Sequence, residues 1–182
     1  AGFLLAVGDP VYNTADPRWT GTIHDSPWRG PPRSAAGGQL HRLVASAVEV
    51  SVSANNWRAG GGTATLLTGA HANRAAFLEA AASLAGESTP SIVHLATHVF
   101  SSAVRPEQGF IAFGLRADQS GGTPQAEFLE TSEVAALHVP GALVVMTGCA
   151  TGAGDARRGA GLLGLTRAWL MAGASGVVST AW

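Results

Sequence analysis

The stretch Ser91-Ile92-Val93-His94-Leu95-Ala96-Thr97-His98 decides the fold, together with Ala142-Leu143-Val144-Val145-Met146-Thr147-Gly148-Cys149 further along the chain. Both are short runs of β-branched and aliphatic residues, which is typical of parallel strands covered on both faces. One run ends in a histidine and the other in the only cysteine present. Ligand sites in open α/β sheets lie beyond the carboxyl ends of the strands. If the two strands are neighbours, we therefore expect His98 and Cys149 to share one crevice.

This pair of residue types indicates thiol chemistry. A cysteine with an ordinary pKa of roughly 8.5 is mostly neutral at pH 7, and a nearby imidazole can take its proton to make it a nucleophile. A lone cysteine is more often a small buried hydrophobic residue, but its place at a strand end favours a site. All six histidines precede Cys149. Papain-like enzymes and α/β-hydrolases place the histidine after the nucleophile, so folds with the histidine first remain.

The rest of the chain alternates strand and helix patterns. Residues 13–38 are rich in Gly, Pro, Asn and Asp, which predicts a long loop. The alternation predicts an α/β domain with a mainly parallel sheet. The further elements predicted are strands at Phe3–Val7, 64–68 and 175–181, a ribbon at 110–115, loops at 118–124 and 152–161, and helices at 40–52, 74–84, 131–137 and 162–172.

Length and charge restrict the possible partners and setting. The 182 residues predict a single domain over 1–182, and the net charge of −1 argues against nucleic acid or an anionic membrane as partner. One cysteine cannot form an internal disulfide, and no apolar run is long enough to span a membrane, so we expect a cytoplasmic protein. The last apolar run has no covering helix after it. We therefore expect a fragment of a longer protein, truncated at its C-terminus.

No cofactor or metal is expected. Gly159–Gly164 satisfies the pattern G-x-G-x-x-G, but no strand directly precedes it and no acidic residue follows at the spacing of a dinucleotide site. His94 and His98 would face the same way along an ideal strand. No second cysteine or nearby carboxylate completes a metal ligand set. We therefore expect His94 to be buried and hydrogen-bonded.

Several segments together carry a family resemblance. Leu95–His98 and Leu143–Gly152 resemble the strand ends of the CHAT domain, a caspase-like cysteine peptidase family distantly related to separases. Arg167–Ala174 is similar to that family's helix ending in A-G-A, and Val177–Trp182 to its V-V-x-x-L-W segment. The resemblance covers nearly the whole chain. It implies a caspase-like three-layer sandwich.

The resemblance also implies residue roles and partners. Cys149 would be the nucleophile and His98 the general base of an endopeptidase, with the backbone N–H groups of Val99 and Cys149 binding the oxyanion. The partners would be a protein or peptide substrate and a regulatory helical-repeat region of the full-length protein, often in bacterial signalling or defence. Family members often favour a basic residue before the scissile bond, and Asp118 and Asp155 are the candidate aspartates for binding it.

Two positions depart from the family pattern. Val99 stands where the family has glycine, and a β-branched residue would be strained there if the position needed a positive φ. Ala150 stands where the family has glutamate, which removes a charge beside the nucleophile. These departures support an alternative: a catalytically inactive module that keeps the fold for protein–protein interaction.

Overall fold

The computed structural model describes residues 2–20, 40–86, 90–101, 105, 107–116, 125–148 and 158–180. No helix in these ranges is both long enough and apolar enough to cross a membrane. The helices are α1 (Val44–Ala59), α2 (Arg74–Ser83), α3 (Thr131–Ala135) and α4 (Arg158–Met171). The strands are β1 (Phe3–Pro10), β2 (Thr63–Gly69), β3 (Ser91–Ala96), β4 (Val99–Ser101), β5 (Gly109–Arg116), β6 (Gln125–Glu130), β7 (Leu143–Met146) and β8 (Gly176–Ser179).

The main sheet has five strands in the order β2-β1-β3-β7-β8, and every adjacent pair is parallel. A second, antiparallel sheet has the order β4-β5-β6. The predicted α/β domain with a mainly parallel sheet is confirmed. The two deciding stretches are neighbours, because β3 pairs directly with β7 from Ile92–Leu143 to Leu95–Met146. The carboxyl ends that precede His98 and Cys149 therefore meet at one edge of the sheet.

Alternate side chains of the main sheet enter two separate cores, which makes the structure three-layered. Leu4 and Ala6 of β1 pack against Val50 and Ala54 of α1 on one face. The next residues along β1 point to the opposite face, as the two-residue period of a strand requires. There they join the larger core formed with α2, α3, α4 and the second sheet. Its largest side chains are Trp169, Phe77 and Phe113.

Helix α1 differs from its predicted bounds of 40–52. It begins at Val44 and continues to Ala59, and its buried residues are Ser46, Val50 and Ala54. The apolar stripe in the sequence lies mainly on the solvent side, where Val44 and Val48 are 59% and 65% exposed. Because Ser46, Val50 and Ala54 have small side chains, α1 lies close to the sheet, and these three residues form its buried face. The helix was predicted from apolar residues at positions 40, 43, 44, 47 and 48, and these are half-buried or exposed, so their spacing indicates a helix without identifying its packed face.

Helix α2 agrees with its prediction. The Asn73 side chain accepts a hydrogen bond from the backbone N–H of Ala76 at 2.9 Å, as an N-cap residue does. The predicted inner residues Phe77, Ala81 and Leu84 are all buried. Leu84 belongs to a single 3₁₀ turn that follows the helix.

The second sheet contains the predicted ribbon and two strands that the sequence did not reveal. Strand β5 pairs with β4 on one side and with β6 on the other. Strand β4 directly follows His98. Short helix α3 is capped by Glu130, whose side chain forms a reciprocal capping box with Glu133. The predicted loop at 118–124, residues 152–157 of the predicted loop at 152–161, and residues 21–38 of the long loop lie outside the described residues.

Helix α4 begins at Arg158, four residues before its predicted start, so the end of the expected glycine-rich loop is helical. The sequence predicts that this helix buries Leu162, Leu165, Ala168, Trp169 and Ala172; the last four are buried, whereas Leu162 is half-buried against the same core. The helix ends in a Schellman motif. The N–H of Ala174 donates to the Trp169 carbonyl and the N–H of Gly173 to the Leu170 carbonyl. Gly173 has a φ of +99°, a conformation that glycine adopts without strain.

Candidate active site

The ends of β3 and β7 touch directly. The N–H of Thr147 donates to the Leu95 carbonyl at 3.0 Å. A Cβ built on Gly148 would lie 1.3 Å from the carbonyl oxygen of Thr97, so the two backbones leave no room for a side chain. His98 and Cys149 are each the next residue beyond this contact. Thr97, which precedes His98, is therefore in contact with Gly148, which precedes Cys149.

The ring of His98 is tied to a backbone carbonyl. Its Nε2 lies 2.7 Å from the carbonyl oxygen of His41. A carbonyl oxygen can only accept, so Nε2 must carry the proton in this hydrogen bond. In the neutral ring, Nδ1 is then the nitrogen that carries the lone pair and can act as a proton acceptor. The arrangement assigns the tautomer of His98.

Aromatic side chains fix the position of His98 further. Its backbone N–H donates to the Tyr12 hydroxyl at 3.2 Å. The ring lies 4.9 Å from the Tyr12 ring and stacks on Phe100 at 5.8 Å, measured between centroids. His98 is buried, and this burial lowers its pKa, although the hydrogen bond to the His41 carbonyl acts in the opposite direction. The imidazole is therefore mainly neutral at pH 7, as a general base must be.

Val99 adopts ordinary extended backbone. It begins β4, and among the non-glycine residues of the described ranges only Asp9 has a positive φ, so Val99 is not strained in the way that its sequence suggested. The His98 carbonyl accepts the Ala112 N–H at 2.8 Å. His98 and Ala112 therefore form a hydrogen-bonded pair, and the next pair, Val99 with Ile111, is of the other kind. The Val99 N–H consequently points away from β5.

A cluster of two carboxylates and two guanidinium groups lies at the end of β1. Arg18 bridges Asp9 and Asp16, with N–O distances of 2.7 Å and 2.6 Å. Arg42 donates a hydrogen bond to each carboxylate oxygen of Asp9, from Nε at 2.9 Å and from Nη2 at 2.8 Å. The hydrogen bonds from Arg18 lower the pKa of Asp16 to about 2, although burial acts in the opposite direction. The cluster is balanced in charge and joins β1 to the segment before α1.

We expect Asp16→Asn to reduce stability in a pH-dependent way. Because the folded-state pKa of Asp16 is about 2 and the ordinary value is 3.8, its contribution is fully present above about pH 4 and is lost as the pH falls toward 2. The variant should unfold more easily by about 1 to 2 kcal/mol at pH 7. Urea unfolding of both proteins from pH 7 to pH 2 measures this, with Glu79→Gln on exposed α2 surface as the control. A deficit that is unchanged at pH 2 would contradict the assignment.

A pocket of about 320 Å³ opens between the start of α1 and the ends of β3 and β7. Its wall includes Ala96, two residues before His98, and Gly148, directly before Cys149. Glu49 lies in the wall and its carboxylate is 2.9 Å from Nε2 of His94. His94 is buried and hydrogen-bonded, as predicted. The remaining lining residues are Arg42, Leu43, Val44, Ala45, Ser46 and Thr147.

The structure describes some of the candidate residues from the sequence and not others. His98 and Val99 lie at the expected edge, whereas Cys149, Ala150, Asp118 and Asp155 lie outside the described residues. Sequence reasoning missed the residues that hold His98. Tyr12 is the single tyrosine of the chain and lies two residues after β1, which was a usable signal. His41 acts through its backbone carbonyl, and no side-chain pattern reports that.

The parallel sheet with helices on both faces, and with a histidine at a central strand end, defines a caspase-like α/β sandwich. The chain belongs to the CHAT domain family, a caspase-like family related to peptidases, because the model of the CHAT domain matches residues 2–182. No curated protein matches the chain.

Proposed function

We propose that this domain is a cysteine endopeptidase that uses Cys149 and His98 to hydrolyse a peptide bond in a protein substrate. The observation that carries the proposal is the hydrogen bond from His98 Nε2 to the His41 carbonyl. It commits Nε2 as a donor and leaves Nδ1 as the base. The contact between Gly148 and Thr97 supports the partnership, since it joins the residues that precede Cys149 and His98.

In the proposed reaction, Nδ1 of His98 takes the proton of the Cys149 thiol as the sulfur attacks the scissile carbonyl. The tetrahedral oxyanion accepts hydrogen bonds from the backbone N–H groups of Val99 and Cys149. The direction of the Val99 N–H, away from β5, supports its part in this. The protonated ring then gives its proton to the leaving amine, which departs as the C–N bond breaks. Water activated by the same ring hydrolyses the thioester and restores the thiol.

The pocket beside Gly148 is the proposed site for a substrate side chain next to the scissile bond. It adjoins both strand ends, so a residue bound there would present its carbonyl near Cys149. Its volume of about 320 Å³ suits one amino-acid side chain. Asp118 and Asp155 remain proposed contacts for a basic residue. A regulatory helical-repeat region remains a proposed partner on the strength of the family alone.

Covalent labelling tests the proposal. The chain is treated with a peptide acyloxymethyl ketone, and the modified residue is located by mass spectrometry. We expect one modification, at Cys149, and none in Cys149→Ala. A protein that stays unlabelled at millimolar reagent while iodoacetamide still modifies Cys149 would contradict a peptide-processing site. That outcome would favour the non-catalytic interaction module.

A further inference from the structure

The His41 carbonyl needs support from outside its own segment. Residues 40–43 precede α1, which begins at Val44, and they belong to no helix or strand. Regular hydrogen bonding therefore does not fix the direction of this carbonyl. Yet it lies 2.7 Å from Nε2 of His98, which is a close and specific contact. Other groups must hold the segment in place.

Side chains from the end of β1 tether this segment on both sides of His41. The Asn13 side-chain amide donates to the carbonyl of Leu40, the residue before His41, at 3.0 Å. Arg42, the residue after His41, is held by both carboxylate oxygens of Asp9. With the residues on either side fixed, the His41 peptide has little freedom to rotate away from the ring.

Asp9 is itself held rigidly enough to act as an anchor. Its side chain is 4% exposed and is also bound by Arg18. Its backbone N–H donates to Ser46 Oγ at 2.8 Å, and that hydroxyl donates to the Leu43 carbonyl at 2.7 Å. Asp9 has a φ of +47°, a sparsely populated conformation for a residue with a side chain. Backbone in such a state persists where the surroundings enforce it, often near functional sites.

We propose that Asp9, Asn13 and Arg42 are positioning residues that hold the His41 carbonyl on Nε2 of His98 and so keep the ring in the tautomer in which Nδ1, the proposed base, carries the lone pair. This rests on the proposed function of His98. We call the three residues the carbonyl frame. Asp9 and Asn13 need not touch the substrate or the thiol and act through the His41 peptide; Arg42 acts in the same way and also lines the pocket beside Gly148.

The experiment compares wild type with the double variant Asn13→Ala/Arg42→Ala. Asp9 is left in place because removing a buried partner of two arginines endangers folding, whereas the Arg42 side chain is 40% exposed. Arg58→Ala is the matched control, since Arg58 is another exposed arginine, lies at the far end of α1, and its side chain donates only to the Ala64 carbonyl among the described contacts. Arg42→Lys adds a conservative variant that keeps the charge but cannot bridge both carboxylate oxygens.

The first readout is the Nε2 proton of His98 in ¹⁵N-histidine-labelled protein. Buried and hydrogen-bonded, it should give a separate downfield resonance in wild type and in Arg58→Ala. In the double variant we expect this resonance to disappear, because the Nε2 proton then exchanges with water. The second readout is labelling of Cys149 by iodoacetamide, which does not depend on the pocket that Arg42 lines and which should slow by roughly 10- to 100-fold in the double variant. The labelling rate of Arg42→Lys should lie between the rates of wild type and of the double variant.

The outcomes separate this proposal from the proposed function. A resonance that persists in the double variant overturns the carbonyl frame, whatever the labelling rate. Loss of the resonance in Arg58→Ala as well would also overturn it, because the signal would then report general stability. A resonance lost only in the double variant, with an unchanged labelling rate, supports the frame and contradicts His98 as the base.

Discussion

Replacing His98 by alanine should slow the reaction of Cys149 with a peptide acyloxymethyl ketone by about 10²- to 10⁴-fold at pH 7. The loss is large because a thiol with a pKa of roughly 8.5 is mostly protonated at this pH, and the variant has no base to take that proton. The buried ring of His98 is neutral under these conditions and has its Nε2 proton committed to His41. The second-order labelling rate measures the effect.

His138→Ala is the matched control for this prediction. His138 is exposed and lies after α3, away from the ends of β3 and β7, so its loss should leave the labelling rate unchanged. Thermal unfolding of all three proteins checks that the fold is kept. A rate in His98→Ala within a factor of three of wild type would show that Cys149 reacts as an ordinary thiol.

Trp169→Ala should cost about 3 to 5 kcal/mol of unfolding free energy, a large part of the stability of a typical domain. Trp169 is fully buried in the larger core, and its carbonyl takes part in the turn that ends α4. Removing the indole leaves a cavity between α4 and its neighbours that the backbone cannot easily close. Urea unfolding gives the free energy directly.

Two further variants of α4 serve as controls for the effect of Trp169→Ala on the free energy of unfolding. Met171 is 76% exposed on the same helix, so Met171→Ala should change stability by less than about 0.5 kcal/mol. Trp169→Phe should cost less than alanine, since it keeps an aromatic ring and removes an indole N–H that has no hydrogen-bond partner among the described residues. A cost below 1 kcal/mol for Trp169→Ala would contradict the packing of this core.

The fold was predictable where one physical signal dominates. The apolar runs before His98 and Cys149 had to be buried strands, and Asn73 is a helix cap whose effect is local. The inner face of α1 was not predictable, because Ser46 and Ala54 pack there through close approach rather than through hydrophobicity. Strand β4 is three residues long, too short for a periodic pattern to show.

The candidate site was predictable only in part. His98 could be found because it ends a strand and is a chemically distinctive residue. Its carbonyl partner could not, since any residue at position 41 offers the same backbone oxygen. The role of Asp9 as the anchor of Arg18 and Arg42 could not be predicted either, because it depends on contacts between distant parts of the chain.

The pH dependence of Cys149 labelling in wild type tests the dyad most directly. Burial lowers the pKa of His98 below its usual 6.5. The imidazole is therefore mainly neutral at pH 6.5 and above, and it becomes protonated only at lower pH. We predict a labelling rate that is nearly flat from about pH 7 to pH 8 and declines below about pH 6.5. A rate that instead climbs about tenfold per pH unit up to roughly pH 8.5 is that of an unassisted thiol and would contradict the account.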